Sequence, residues 1–390
     1  MQRPHSTADY DHWLREAAPQ TRITLLTSAD SVRRAEDLAP EVRRVTVPAD
    51  YEARATTAEL FRLCEADRPD RIFVNSEDDV LRAAEARTLF GIPGTSSALA
   101  LRFRDKIAMK QLFDGGPVPA VPYREVRCYA DLHAAQEELG TVVVKPRDGA
   151  GSAGVRVLPD AQAVRRACLD DPGLLTALHS GALMAEQYIE STVHHVDVLV
   201  DGGSVLLVSP SRYLSPPHRF RTHNLGSVML DADSPRAKLL TDAAERFVAA
   251  LPLGHGVHVL HMEFLEDGSG TFFAGEVACR TGGALIKNAV RHTYGIDLSR
   301  AACLLAAGLW TAPREPVGGA VRTGWLLWTG GPEPCAPADR PDWLVEFSAA
   351  QEAERRRDPV DAVDGKARLL VAGADEEQIE GRIHALCRRG

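Results

Sequence analysis

The chain has 390 residues, 45% of them hydrophobic, with a net charge of −9 and a pI near 5.8; this length predicts two or three domains, each able to bury its own core. The acidic balance supplies no general basic field for nucleic acid, while leaving room for a local basic pocket. Seven scattered cysteines without a zinc-like pair, a leading segment that contains acids and no apolar run, and no stretch near the ~20 apolar residues of a membrane span predict a soluble, cytoplasmic protein with reduced thiols and no membrane partner.

From residue 21, short apolar runs alternate with helical stretches: TRITLL, SVRRAEDLA, VRRVTVP, ARATTAELFRLCEA, DRIFVN and DDVLRAAEARTLFG. Strands alternating with amphipathic helices predict βαβ units on a parallel sheet, a small α/β domain over 1–95 whose first 20 residues are loosely ordered. GIPGTSS closes it, LRFRDKIAMKQLFDGG reads as helical, and PVPAVPY as extended, because each proline disfavours helix at its predecessor. Strand YREVRCY, helix ADLHAAQEELG, strand TVVVKP, a glycine loop, strand GVRVLP, helix AQAVRRACLD and strand LMAEQYIE fill a second unit, 96–190. A third, 191–310, holds a hairpin from VHHVDVLVDGG to SVLLVSPSRYL, helix SPRAKLLTDAAERFVAALP, and a second hairpin in HVLHMEFLEDGSGTFFAGEVACR. Strands VRTGWLLWT and KARLLVAG and a terminal helix, DEEQIEGRIHALCRR, make 311–390 a smaller packing or lid segment.

In the central unit, Val142-Val143-Val144 delivers Lys145 to the end of a buried-type strand. Gly149, Gly151, Ser152 and Gly154 then form a loop leading into another strand. Such a loop lets backbone N–H groups approach an anion, and the lysine adds a point charge, a combination suited to nucleotide β- and γ-phosphates. The loop lacks the GxxxxGK[ST] pattern, and a strand rather than a helix follows, so neither common phosphate fingerprint applies. Its plain alternative is an ordinary turn.

The second constellation lies in the last hairpin, where Glu263 and Glu276 interrupt facing strands. Cross-strand pairing brings such carboxylates together, and a hard cation such as Mg²⁺ relieves their repulsion. Arg280, four residues on, can clamp a carboxylate or phosphoryl group bidentately. A solvent-facing charged hairpin is the plain alternative. Between the strands before it, Ser211–Asn224 gathers cations suited to lining an acceptor site or stabilising a transferring phosphoryl group, Arg219 being the preferred candidate, with a solvated loop as the plain alternative. His194 and His195 point to opposite faces of a strand. Cys279 reads as a packed thiol rather than a nucleophile.

Taken in order, RDKIAMKQLF, VPAVPY, VVVKPRDGAGSAGV, AEQYIE, HMEF and GEVACRTGG resemble the ATP-grasp superfamily, within it the carboxylate-amine ligases that join amino acids. The resemblance spans roughly residues 20 to 390. It implies an ATP-grasp fold of mixed α/β and α+β class, with an N-terminal α/β domain, a central subdomain and a C-terminal β-rich subdomain. It assigns Lys106 and Lys145 to the nucleotide, the loop from Gly149 to Gly154 to the phosphates, Glu186, Gln187, Tyr188 and Ile189 to adenine and ribose, Glu263 and Glu276 to Mg²⁺, and Arg280 to the acyl phosphate or the substrate carboxylate. Two positions depart from the family pattern. Ala278 stands where many members carry a metal-binding asparagine, and Val193 where a ribose-binding glutamate is common, leaving ribose to Glu186, Glu190 or His195. The implied activity is ADP-forming ligation of an amino acid or similar acid to an amine, with ATP and Mg²⁺, small-molecule carboxylate and amine partners, and a homodimer open as the assembly. A carboxylase or thiol ligase, and a non-catalytic nucleotide-binding regulator, are the rival readings.

Overall fold

A computed structural model describes residues 1, 8–51, 54–219, 223–251, 256–311, 321–329, 334, 339–349 and 367–387. Arg221 and Cys335, and parts of the expected lid, lie outside them.

The N-terminal part carries α1 (Tyr10–Ala17), β1 (Ile23–Leu26), β2 (Val42–Thr46), α2 (Ala55–Asp67) and α3 (Glu77–Phe90). β1 and β2 pair in parallel, as the alternating pattern predicts. The stretch SVRRAEDLA supplies only a short 3-10 turn, Ala35–Asp37. The expected strand DRIFVN forms no ladder among the described residues; its last residue, Asn75, instead bonds Thr281 and Ser299, more than 200 positions away. Helix α3 stops at Gly91, whose φ of 67° is the left-handed cap that glycine adopts without strain.

The long helical run after residue 96 is two helices, α4 (Ser97–Arg104) and α5 (Lys106–Lys110). Asp105 divides them because its carboxylate accepts from the N–H groups of Ile107 and Ala108 and so caps a new helix. Lys106 and Lys110 thereby share one face of α5, four residues apart.

The central part has β3 (Tyr123–Val126), α6 (Tyr129–Leu139), β4 (Val142–Pro146), β5 (Arg156–Leu158), α7 (Ala161–Asp170), α8 (Pro172–His179) and β6 (Leu183–Gln187). The strands form an antiparallel sheet in the order β3-β6-β4-β5. Leu132, Val164, Leu174 and Leu178 bury one face of it. Helix α8 carries a start signal that pattern reading passed over, Asp171 accepting from Leu174 N ahead of Pro172.

Among the described residues the C-terminal part is built on one eight-stranded antiparallel sheet. Its strands are β7 (Ser191–Asp201), β8 (Ser204–Tyr213), β9 (Leu225–Met229), β10 (Val259–Asp267), β11 (Phe272–Ala278), β12 (Arg322–Trp328), β13 (Leu344–Ser348) and β14 (Ala367–Gly373). They lie in the order β11-β10-β7-β8-β9-β12-β14-β13. Both expected hairpins form, β7 with β8 and β10 with β11. β12, β13 and β14, from the expected lid segment, thus join the same sheet that carries the carboxylates.

Helix α9 (Pro235–Ala250) packs Leu240 and Phe247 against Val196, Val198 and Leu260. On the other face α10 (Ile286–Tyr294) and α11 (Leu298–Ala307) meet Leu199 and Trp325. Covered on both faces, β7 is buried at every residue from His194 to Val200 rather than at alternate ones, so its polar members, His194, His195 and Asp197, need partners inside the protein. Each large side chain so buried contributes roughly 1.5–3 kcal/mol. Helix α12 (Glu376–Cys387) covers β12 and β14 through Ile379 and Ile383. Among the described residues no helix is long and apolar enough to cross a membrane.

Candidate active site between two sheets

The central sheet and the eight-stranded sheet face each other across a cleft of about 230 Å³. The ends of β4 and β6 and the glycine loop form one side, and β10 and β11 the other. Val143, Val193 and Leu265 give it an apolar lining beside Tyr188, Ile189 and Glu190.

Lys145 spans the cleft. Its Nζ lies 2.8 Å from Glu276 Oε1 on β11 and 2.6 Å from Glu186 Oε1 on β6. Lys106 stands 3.8 Å from Glu276 Oε2 and donates to the carbonyl of Gly149. Lys110, fully buried, lies 3.0 Å from Glu186 Oε2 and donates to Gly275 O. Burial opposes charge on Lys145, yet Glu186 and Glu276 outweigh it and raise its pKa. On Lys110 burial wins and the pKa falls despite Glu186. Both glutamates resist burial through the lysines, which hold their carboxyls below the ordinary range. Three lysines and two glutamates therefore form one compensated cluster, as buried charges require.

Glu263 and Glu276 are direct cross-strand partners, as the hairpin reading expected. Their hard oxygen donors, in a cleft with lysines for phosphate oxygens, fit a divalent cation such as Mg²⁺. Glu263 also faces His261 Nε2 at 3.6 Å and the Tyr213 hydroxyl at 3.5 Å.

The glycine loop turns through left-handed backbone at Gly151 (φ 60°), Ser152 (φ 62°) and Gly154 (φ 71°). Gly154 is required twice over, since a Cβ there would also meet Pro146 at 3.0 Å. Arg104 holds the loop's entry through Asp148 O at 2.6 Å.

Arg280 leaves β11 and donates from Nε to Glu77 Oε2 at 2.7 Å and from Nη1 to Thr281 O at 2.8 Å. Burial disfavours its charge, but Glu77 outweighs this and keeps the guanidinium protonated. Asn75 holds the following turn by accepting from Thr281 N. Beyond this turn the cleft opens into a groove of about 1300 Å³, which shares Glu77, Gly149, Gly151 and Arg280 with it.

Lys106, Lys145, Gly149, Gly151, Ser152, Glu186, Gln187, Tyr188, Ile189, Glu263, Glu276 and Arg280 all line the cleft. Gly154 shapes its loop from behind. Glu186 is turned onto Lys110 and Lys145, whereas Glu190 lines the opening and accepts from the Tyr188 hydroxyl at 2.5 Å. Arg219 stands apart from Arg280. It is 40% exposed, with Nη2 3.4 Å from the Tyr188 hydroxyl and 3.6 Å from Glu190, at the edge of the strand connection between β6 and β7. Burial pushes the Cys279 thiol up to about 12, matching the packed thiol expected of it.

Sequence reasoning passed over Lys110, Glu77 and a buried relay beneath the site. His195 shares one carboxylate oxygen of Asp197 (2.7 Å), and His261 the other (2.9 Å), while Ser227 meets the far nitrogen of His195 at 2.8 Å. Burial disfavours the His261 cation, but Asp197 and Glu263 raise its pKa to about 9. The signal was present: residues i and i+2 share a strand face, and His261 lies opposite Asp197. His194 faces the other way, to Glu266 at 2.9 Å.

Two opposed sheets, a left-handed glycine loop, a strand-borne lysine beside two helix-borne ones, and a cross-strand carboxylate pair define the ATP-grasp fold. The family described as the ATP-grasp domain matches residues 103–261, and the chain belongs to the ATP-grasp family. It is 31% identical over 262 residues to a D-alanine–D-alanine ligase B of Xanthomonas campestris pv. campestris, an alignment covering 60% of this chain and 76% of that one. An L-arginine-specific L-amino acid ligase of Bacillus subtilis is 28% identical over 231 residues, 59% of this chain and 55% of the relative. The chain thus spans about half the length of the first curated relatives it matches. In three dimensions it superposes on an L-amino acid ligase from Bacillus licheniformis with a TM-score of 0.71 at 16% identity, covering 99% and 96% of the two chains. A biotin carboxylase domain from Hydrogenobacter thermophilus superposes at 0.69 and 15%.

Proposed function

We propose that this chain is an ADP-forming carboxylate-amine ligase that makes an amide or peptide bond from an amino acid or similar acid and an amine, acting in the cytoplasm. The observation that carries the reading is the Lys145–Glu276 contact beside the Glu263–Glu276 pair, with Arg280 four residues on at the mouth of a separate groove. Nucleotide phosphates belong at the lysines, and an acid to be activated belongs at Arg280.

In this reading residues 96–190 and 191–310 clasp ATP between them. Val143, Val193 and Leu265 take the base, Glu190, at the opening, is the carboxylate for ribose, and Lys106, Lys145 and the glycine loop take the phosphates. Glu263 and Glu276 would hold Mg²⁺, which when bound would supply positive charge against the phosphate oxygens. Arg280, anchored by Glu77, orients the substrate carboxylate. One carboxylate oxygen attacks the γ-phosphorus, the bond to the ADP oxygen breaks, and an acyl phosphate forms. The amine then attacks the acyl carbon, phosphate leaves, and the nitrogen gives up its proton. Arg219, at Tyr188 and Glu190, closes the nucleotide end.

The test is ADP and phosphate release from purified protein with ATP, Mg²⁺ and pairwise acids and amines, with product mass. Release that requires both an acid and an amine supports the ligase. Dependence on bicarbonate, or tight Mg-ATP binding without turnover on any pair, overturns it.

A further inference from the structure

The groove beyond Arg280 has a polarity that ligation by itself does not require. On one wall Lys287 and Arg291 stand four residues apart on the exposed side of α10, and Arg368 of β14 lines the same groove. Like charges at this spacing weaken a helix slightly. Among the described residues none of the three has an ion-pair partner or a side-chain hydrogen bond. The nearby carboxylates are engaged elsewhere. Glu346 accepts from Asn288 Nδ2 at 2.9 Å, and Asp297 caps α11 through Ser299 and Arg300. Arg300 itself is taken by Glu16 at 2.7 Å. The indole N–H of Trp310, also in the lining, has no acceptor among the described residues.

The glycine-loop side is opposite in character. Asp78 and Asp148 are exposed there, beside Glu77, whose carboxylate is held by Arg104 and Arg280. Among the described residues the groove therefore offers unpaired donors along α10 and β14 and unpaired carboxylates near the glycine loop. Its volume of about 1300 Å³ also exceeds what one small molecule fills.

We propose that Lys287, Arg291 and Arg368 select an amine substrate bearing an anionic side chain, an acidic amino acid or a short peptide containing one, with its ammonium group toward Asp78 and Asp148. Three cations exceed what a single α-carboxylate neutralises, and a second carboxylate balances them. The proposal rests on the ligase reading and names the substrate class of that same site.

The experiment compares aspartate with asparagine and glutamate with glutamine as acceptors, pairs that differ in charge and little in shape, by ADP release over a panel of acids. The acidic member of each pair has a kcat/KM at least about tenfold higher, and the gap narrows as salt rises from about 50 to about 500 mM. The K287E/R291E variant loses the acidic preference and gains turnover with lysine, and nucleotide titration by calorimetry reports that it is folded. R368Q alone moves selectivity the same way. Equal rates for acid and amide, or a wild-type preference for cationic amines, overturns the proposal. If no pair of substrates releases ADP, the ligase reading fails separately. Calorimetric binding of glutamate against glutamine, with a non-hydrolysable Mg-ATP analogue present, then decides: tighter glutamate upholds the selectivity, and equal or absent binding overturns it.

Discussion

Glu77 Oε2 lies 2.7 Å from Arg280 Nε, joining the first residue of α3 to the turn after β11 across 203 positions of sequence. Arg104 grips the other oxygen of the same carboxylate at 2.7 Å. The N-terminal part thereby sets the direction of the arginine that faces the large groove.

Glu77→Gln keeps the shape and removes the charge, leaving two guanidiniums around a neutral amide. With Arg280 no longer fixed, kcat/KM for the acid substrate falls roughly 10- to 100-fold, with a small change in the KM for ATP. Initial rates at varied acid and varied ATP check this. A selective rise in the ATP KM would place Glu77 at the nucleotide instead.

Lys110 and Glu186 form a buried pair whose removal by halves is unfavourable. Lys110→Met leaves Glu186 with Lys145 alone and costs about 3 kcal/mol, whereas Lys110→Met with Glu186→Leu restores a large part of that, because two apolar side chains replace both charges. Urea unfolding of the two single variants and the double variant gives the coupling. Additive losses would show the pair to be uncoupled.

His194 sets an acid limb of stability. It is fully buried, facing Glu266, the Phe272 ring and, across β8, Arg212, with Arg236 on the far side of Glu266. Burial outweighs Glu266 and lowers its pKa from 6.5 to about 4. Between these values the unfolded chain holds the proton and the folded chain does not, so stability rises with pH across that window and is lost as pH falls through it. The full difference is roughly 3 kcal/mol. Thermal melts from pH 7 down to pH 4.5 check it. His194→Gln flattens that limb, and an unchanged slope in the variant contradicts the assignment.

Gly282 is needed for space. A Cβ there would stand 2.8 Å from Asp197 Oδ1 and 2.9 Å from His261 Nδ1, and Asp197, bonded by two histidines, has no slack to yield. Gly282→Ala therefore displaces the Arg280 turn or the relay. We expect a loss of about 1–3 kcal/mol in stability, with turnover reduced further than the matching change Gly268→Ala at a turn where a Cβ meets nothing. Paired melts and ADP-release rates settle it, and equal behaviour of the two variants counts against the relay's support of the site.

The sequence by itself determined the elements whose causes are local. Lys145 at the end of a β-branched run, the glycine loop after it and the Glu263–Glu276 hairpin were legible because period-two patterning and turn residues fix faces and register over short distances. The strand expected at DRIFVN was not formed, since the extended chain there found its partners in side chains of a remote turn. Tertiary structure decided which of the many charged residues met. Glu77 with Arg280, Lys110 with Glu186, and the His195–Asp197–His261 relay arise where separate elements converge. Ion pairs depend on distance and burial in space, and no periodicity along the chain encodes them.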